Sequence, residues 1–152
     1  MNLQSYLDEH GVNYRLSHHE PAYTSQDLAA IEHMSGKKVI KPVVVRADGQ
    51  WVMCALPASY RVDLGELRNQ LRADEVSLAD EKAMEHLFPG SELGAEPPIG
   101  KLFGMTTLMD ESLTSADMVM FQAGTHTDSV TMSLAEYRRI ANAEIAHSGK
   151  HR

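Results

Sequence analysis

Residues 39–57, Val-Ile-Lys-Pro-Val-Val-Val-Arg-Ala-Asp-Gly-Gln-Trp-Val-Met-Cys-Ala-Leu-Pro, constrain this chain more than any other stretch. Two β-rich runs flank Asp48-Gly49, a dipeptide that tolerates the positive φ angles of a tight hairpin turn. Val43-Val44-Val45 and the run 51–56 are apolar almost throughout. Strands with no polar face are buried on both sides, which predicts a hairpin at the centre of a sheet. Lys41 stands at the entrance of the first strand, between Ile40 and Pro42. A lysine in such company either carries its ammonium to solvent along a buried stem or holds an anion.

Helix and strand signals alternate around this hairpin. Leu3 and Leu7 predict a short helix closed near Gly11, and the alternation across 12–16 predicts a strand. Residues 18–23 read as a loop. Thr24 with Asp27 has the pattern of a capped helix start, ahead of Leu28, Ala29 and Ile31. The same pattern recurs at Asp63-Glu66, before Leu64, Leu67 and Leu71, and at Ser133-Glu136, before a helix expected to run through Ile145. Further strands are expected at 76–79, 106–109, 118–123 and 129–132, and a helix carrying Met84 and Leu87 stops at Pro89-Gly90. Residues 91–104 are rich in Gly and Pro and follow neither period, as functional loops in compact domains often do. Several connections are too short for parallel crossovers. The expected class is therefore α+β (mixed α/β): a single mixed sheet of six or seven strands with packed helices. Residues 1–147 form one domain in this reading, and 148–152 fray.

A chain of 152 residues is long enough for one real core and short for two. No apolar run approaches the roughly 20 residues that span a bilayer, and the first ten residues lack the basic and apolar segments of a signal peptide. Cys54 is the only cysteine, so an intramolecular disulfide and a multi-thiolate metal site are excluded. The expected compartment is the cytoplasm. The net charge of −7 argues against coating long stretches of nucleic acid. It leaves open the recognition of one or two phosphates by a local basic spot. Lys37, Lys38 and Lys41 form one such spot and Arg61, Arg68 and Arg72 another, unless both are solvated surface charge. Of eight histidines, His18 and His19 are adjacent and point to opposite sides of an extended chain, and no His-x-x-x-His pair falls on an expected helix. No metal or other cofactor is expected. Gly-x-Ser-x-Gly, Walker and Gly-x-Gly-x-x-Gly motifs are absent. What remains is Lys41 and the loop Gly94-Ala95-Glu96-Pro97-Pro98-Ile99-Gly100. Its glycines admit a ligand close to the backbone and its prolines stiffen it, so it is either a rigid carbonyl or oxyanion site or simply a turn.

The order of these segments resembles a known family. His19, Pro21 and Thr24 come first, then Lys41 with Val43-Val44-Val45 and Leu56-Pro57-Ala58. Gly94, Pro98 and Gly100 follow, then Asp110, then Ala123-Gly124-Thr125-His126. This series, spanning nearly the whole chain, resembles the YbaK/ProX family of aminoacyl-tRNA deacylases, relatives of the editing domain inserted in bacterial prolyl-tRNA synthetases. The resemblance implies hydrolysis of the ester joining a wrong amino acid, small like Ala, Ser, Thr or Cys, to the terminal ribose of a tRNA. It implies that Lys41 grips a phosphate near the terminal adenosine and that N–H groups at Gly94 and Ala95 hold the ester carbonyl. His19, Thr24, Pro98, Gly100, Gly124, Thr125 and His126 would contact substrate, although His19 and His126 could equally brace loops. Water, positioned by the backbone and the neighbouring ribose hydroxyl, would be the nucleophile. The implied partners are the acceptor end of a mischarged tRNA and an aminoacyl-tRNA synthetase, with no membrane and no DNA. Two positions depart from the pattern: Pro42 stands where many relatives have threonine, and Ala95 where many have a second glycine. The alternative is a non-catalytic module of the same fold that binds tRNA ends or a synthetase. Hydrolysis of another small ester is a third possibility.

Overall fold

The structure, a computed structural model, describes residues 2–151. Its centre is the expected hairpin, β2 (Ile40–Ala47) against β3 (Gln50–Pro57), in unbroken antiparallel register from Ile40 opposite Pro57 to Ala47 opposite Gln50. Asp48 and Gly49 turn it with φ of +46° and +84°, both in the left-handed region that this turn requires. One face packs Val45, Cys54 and Leu56 against Leu67 and Leu108. The other packs Val44 and Met53 against Phe88 and Met105. The hairpin is thus covered on both sides, as its unbroken apolar runs predict.

The helices are α1 (Leu3–Glu9), α2 (Ser25–Ile31), α3 (Leu64–Leu71), α4 (Glu81–Leu87) and α5 (Leu134–Ala141). Thr24, Asp63 and Ser133 each accept the N–H three residues on, at 3.0 to 3.1 Å, so the capping patterns in the sequence are real caps. Each such cap contributes about 1 kcal/mol to its helix. Among the described residues no helix is long and apolar enough to cross a membrane.

The α+β class holds, but the strands divide among three sheets where one was expected. The largest has the order β5-β2-β3-β6-β9, with β5 (Val76–Leu78) antiparallel to β2 and both β6 (Thr106–Asp110) and β9 (Glu144–Ala146) joined in parallel. A second is antiparallel, β1 (Tyr14–His18), β8 (Asp128–Ser133) and β7 (Met118–Gln122). One parallel bridge, Val39 with Met120, ties it to the residue just before β2. Pro42 accounts for the break. Counting back from the Ala47–Gln50 pair beside the turn, residue 42 directs its backbone nitrogen away from β3, and a proline there offers the outer edge no donor.

The third sheet pairs β4 (Tyr60–Val62) with β10 (Gly149–His151), and it corrects two expectations. The last helix does not reach Ile145: Asn142 adopts φ of +48° as its left-handed cap, and 144–146 becomes β9. Nor do residues 148–151 fray; Arg152 lies outside the described residues. Ser148 is fully buried, and the buried Asp110 carboxylate explains why. It accepts the N–H groups of Ser148 at 3.0 Å and Gly149 at 2.8 Å, together with the N–H and hydroxyl of Ser112.

Cys54 lies in the covered hairpin, and burial, aided by the Asp110 charge, pushes its thiol up to about 12. The thiolate is the reactive form. A thiol reagent at pH 8 is therefore expected to leave Cys54 unmodified in the native protein and to label it fully in denaturant. Rapid native labelling would contradict its placement.

Candidate active site

Three loops converge beside the end of β1. Backbone bonds knit them: His19 N–H donates to the Thr127 carbonyl (2.8 Å), Ala22 N–H to the His126 carbonyl (2.7 Å), Glu92 N–H to the Gly124 carbonyl (2.8 Å) and Gly124 N–H to the Ala95 carbonyl (2.8 Å). Side chains reinforce the seam. His126 N–H donates to the Glu92 carboxylate at 2.8 Å, and its ring Nε2 lies 2.7 Å from the Leu93 carbonyl oxygen. That geometry makes Nε2 the protonated nitrogen. The Tyr23 ring rests on the His126 ring with centroids 4.8 Å apart.

Gly94 sits where these loops touch. Its φ is +89°, and a Cβ placed there would come 2.7 Å from the Tyr23 carbonyl oxygen. Only glycine fits so close to another backbone at that φ. Its N–H donates to both oxygens of Glu96, at 3.1 and 3.3 Å. Glu96 is 4% exposed, and burial pushes its carboxyl above the usual carboxylate range. The N–H groups of Glu96 and Gly94, and the nearby His126, pull the other way. Ala95 differs from the expectation: its N–H is committed to the Glu92 carbonyl at 3.0 Å, which shapes the turn, while the Gly94 N–H faces the Glu96 carboxylate.

The other expected residues fall into three places. Gly124, Thr125 and His126 join the Gly94 cluster, and the Thr125 hydroxyl binds Asp128 at 2.6 Å. His19 is nearby, its Nδ1 2.7 Å from the Glu20 carbonyl oxygen and its Nε2 buried without a partner. Pro98 and Gly100 are at the far, buried end of the loop. There the Tyr137 hydroxyl donates to the Pro98 carbonyl (2.6 Å), and Gly100 N–H donates to Thr107 (2.8 Å). These two fix the loop to α5 and β6. Lys41 and Thr24 lie at α2. The half-buried Lys41 ammonium donates to the Ala58 carbonyl at 3.3 Å, which Gln26 of α2 also donates to, at 3.0 Å. Thr24 caps that helix. A cleft of about 310 Å³ is lined by Leu3, Pro89, Pro97, Phe103 and Gly124. Among the described residues no three His, Cys, Asp or Glu side chains gather to hold a metal.

Sequence reasoning passed over Tyr23, Glu92 and Glu96. The signal for Glu96 was there: a carboxylate between Ala95 and two prolines has no solvated helix face to occupy.

Comparison with known proteins identifies the family. The profile of the aminoacyl-tRNA editing domain matches residues 19–140, from the first of the three loops into α5. The chain belongs to that family. The editing domain is also similar to the multifunctional Ser/Thr-tRNA deacylase ProXp-y of Escherichia coli, 27% identical over 150 residues, covering 95% of this chain and 89% of that one. It is 24% identical to the prolyl-tRNA editing protein ProX of Acetoanaerobium sticklandii, covering 90% and 87%. It resembles part of the proline–tRNA ligase of Leuconostoc citreum at 29% identity, spanning only 18% of that enzyme's length. Two solved structures share the fold. One is the hypothetical protein APE2540, with a TM-score of 0.87 and 20% identity, covering 97% of this chain and 98% of that one. The other, a candidate trans-editing enzyme for prolyl tRNA synthetase, has a TM-score of 0.81 and 19% identity, covering 97% and 94%.

Proposed function

We propose that this editing domain is a trans-acting aminoacyl-tRNA deacylase, hydrolysing the ester between a small amino acid (Ala, Ser, Thr or Cys) and the terminal ribose of a mischarged tRNA. The observation that carries this reading is the Gly94 turn. It presents a backbone N–H to an anionic oxygen in a conformation that Tyr23 and His126 brace from outside. In the reaction the ester carbonyl takes the place of the Glu96 carboxylate on Gly94 N–H. Water adds to the carbonyl carbon, negative charge develops on the oxygen held by Gly94, and the ribose oxygen leaves with a proton. The products are the amino acid and uncharged tRNA. A preorganised donor of this kind contributes roughly 10²–10³-fold to rate. No side-chain nucleophile is needed, and Cys54 is not one.

Lys41 would hold a phosphate of the terminal nucleotide as a compact point charge. Its neighbour, the Ala58 carbonyl, orients the ammonium at the entrance of β2. Recognition confined to the acceptor end reconciles a −7 chain with an RNA substrate. A synthetase would be a partner in so far as it hands over the mischarged product. A second check on the substrate is worthwhile because one methylene in an apolar pocket discriminates only about 10–200-fold.

The test follows release of labelled amino acid from a panel of matched and mismatched aminoacyl-tRNAs. Wild type should release one small amino acid selectively. Lys41→Ala should lower kcat/KM by about 10–100-fold, as loss of a charge-assisted hydrogen bond of about 1.5–3 kcal/mol predicts. Wild-type rates in Lys41→Ala would remove the phosphate role. Binding of charged tRNA with no release from any member of the panel would make this a non-catalytic module.

A further inference from the structure

Tyr23 is unusual in its surroundings. It is 61% exposed although tyrosine normally buries most of its ring, and Leu93, next to Gly94 in the chain, is 41% exposed. Both are tied to the candidate site. The Tyr23 carbonyl lies against the position a Gly94 Cβ would take, and the Leu93 carbonyl is bound to His126. One part of the Tyr23 ring is held by the His126 ring at 4.8 Å, which fixes its orientation while the rest stays in solvent. The His126 ring is itself held between Leu93 and the Glu92 side of the loop. A ring already immobilised loses little entropy when a second flat group lies on it.

We propose that the exposed face of Tyr23, edged by Leu93, is the stacking surface for the base of the RNA's terminal nucleotide. This rests on the deacylase reading for its ligand: the ribose that carries the ester also carries the terminal base. A base therefore lies one sugar away from any ester carbonyl held at Gly94, and the exposed Tyr23 ring is tied to that turn through its own backbone carbonyl and through the His126 ring. The charge balance favours the same conclusion. A chain with 21 acidic and 14 basic residues draws little affinity from phosphate contacts, so apolar stacking has to supply more of it.

The test is binding of two short hairpin RNAs, one ending in CCA and one identical but abasic at its last position, to wild type, Tyr23→Phe and Tyr23→Ala. Tyr23→Ala removes an exposed side chain and keeps the backbone carbonyl at Gly94, and unchanged thermal melting checks that the fold is retained. Tyr23→Ala is expected to bind the CCA hairpin about 5–150-fold more weakly, the range for loss of one base stack. Tyr23→Phe should bind it as wild type does, and all three should bind the abasic hairpin equally weakly. Equal binding of the CCA hairpin by wild type and Tyr23→Ala would overturn the proposal. So would an equal loss on both hairpins, or no binding of the CCA hairpin by wild type. Amino-acid release, measured alongside, separates the two readings. Tyr23-dependent binding without release keeps the stack and removes the deacylase. Release with Tyr23-independent binding does the reverse.

Discussion

Gly94→Ala is expected to lower kcat/KM for deacylation by about 10²–10³-fold, the cost of losing one preorganised oxyanion donor. Two effects coincide at this position. The residue sits at φ of +89°, where a side chain costs about 1 kcal/mol or more. Its new Cβ would also meet the Tyr23 carbonyl oxygen at 2.7 Å. That oxygen belongs to the backbone, so it cannot swing aside as a side chain would. The turn itself must move, and the N–H moves with it. Gly90→Ala is the matched control. Gly90 has a similar φ of +87°, but a Cβ there meets nothing within 4 Å. It should share the small loss of stability and keep most of the activity. Single-turnover release of amino acid by both variants checks this, and a Gly94→Ala protein at wild-type rates would show that the turn does not hold the carbonyl.

Asp110→Ala is expected to destabilise the fold by about 3 kcal/mol, because the buried N–H groups of Ser148 and Gly149 and the half-buried one of Ser112 lose their acceptor together. For a chain of this size that corresponds to a fall in Tm of roughly 6–12 °C. The loss should be uneven. β10 is held by its three pairs with β4 and by this carboxylate, so the amide of Gly149 should exchange with solvent far faster in the variant. Amides in the central hairpin should keep most of their protection. Asp110→Asn retains one acceptor oxygen and should fall between the two. An unchanged Tm in Asp110→Ala would mean that the C-terminal strand is held by other contacts.

Local chemistry was legible in the sequence wherever it acts over a few residues. Asp48-Gly49 specifies a left-handed turn through sterics alone, and unbroken apolar runs on either side require cover on both faces. Thr24, Asp63 and Ser133 announce helix starts because a side-chain oxygen three residues before a backbone N–H is a local event. The series from His19 to His126 identified the family, and the profile match over residues 19–140 agrees. What the sequence left undecided depends on partners distant along the chain. Residues 144–151 look like a helix end and a loose tail, and become strands because β6, β4 and Asp110 offer them hydrogen bonds. Glu96 is an ordinary acid until its loop folds it against the N–H of Gly94. Tyr23 reads as one residue of a loop, and only packing puts its carbonyl at Gly94 and its ring on His126, with the outer face in water. Short-range sterics and capping are written residue by residue. Burial and the direction of a side chain are set by which distant segments close over it, and in this chain that decided the site.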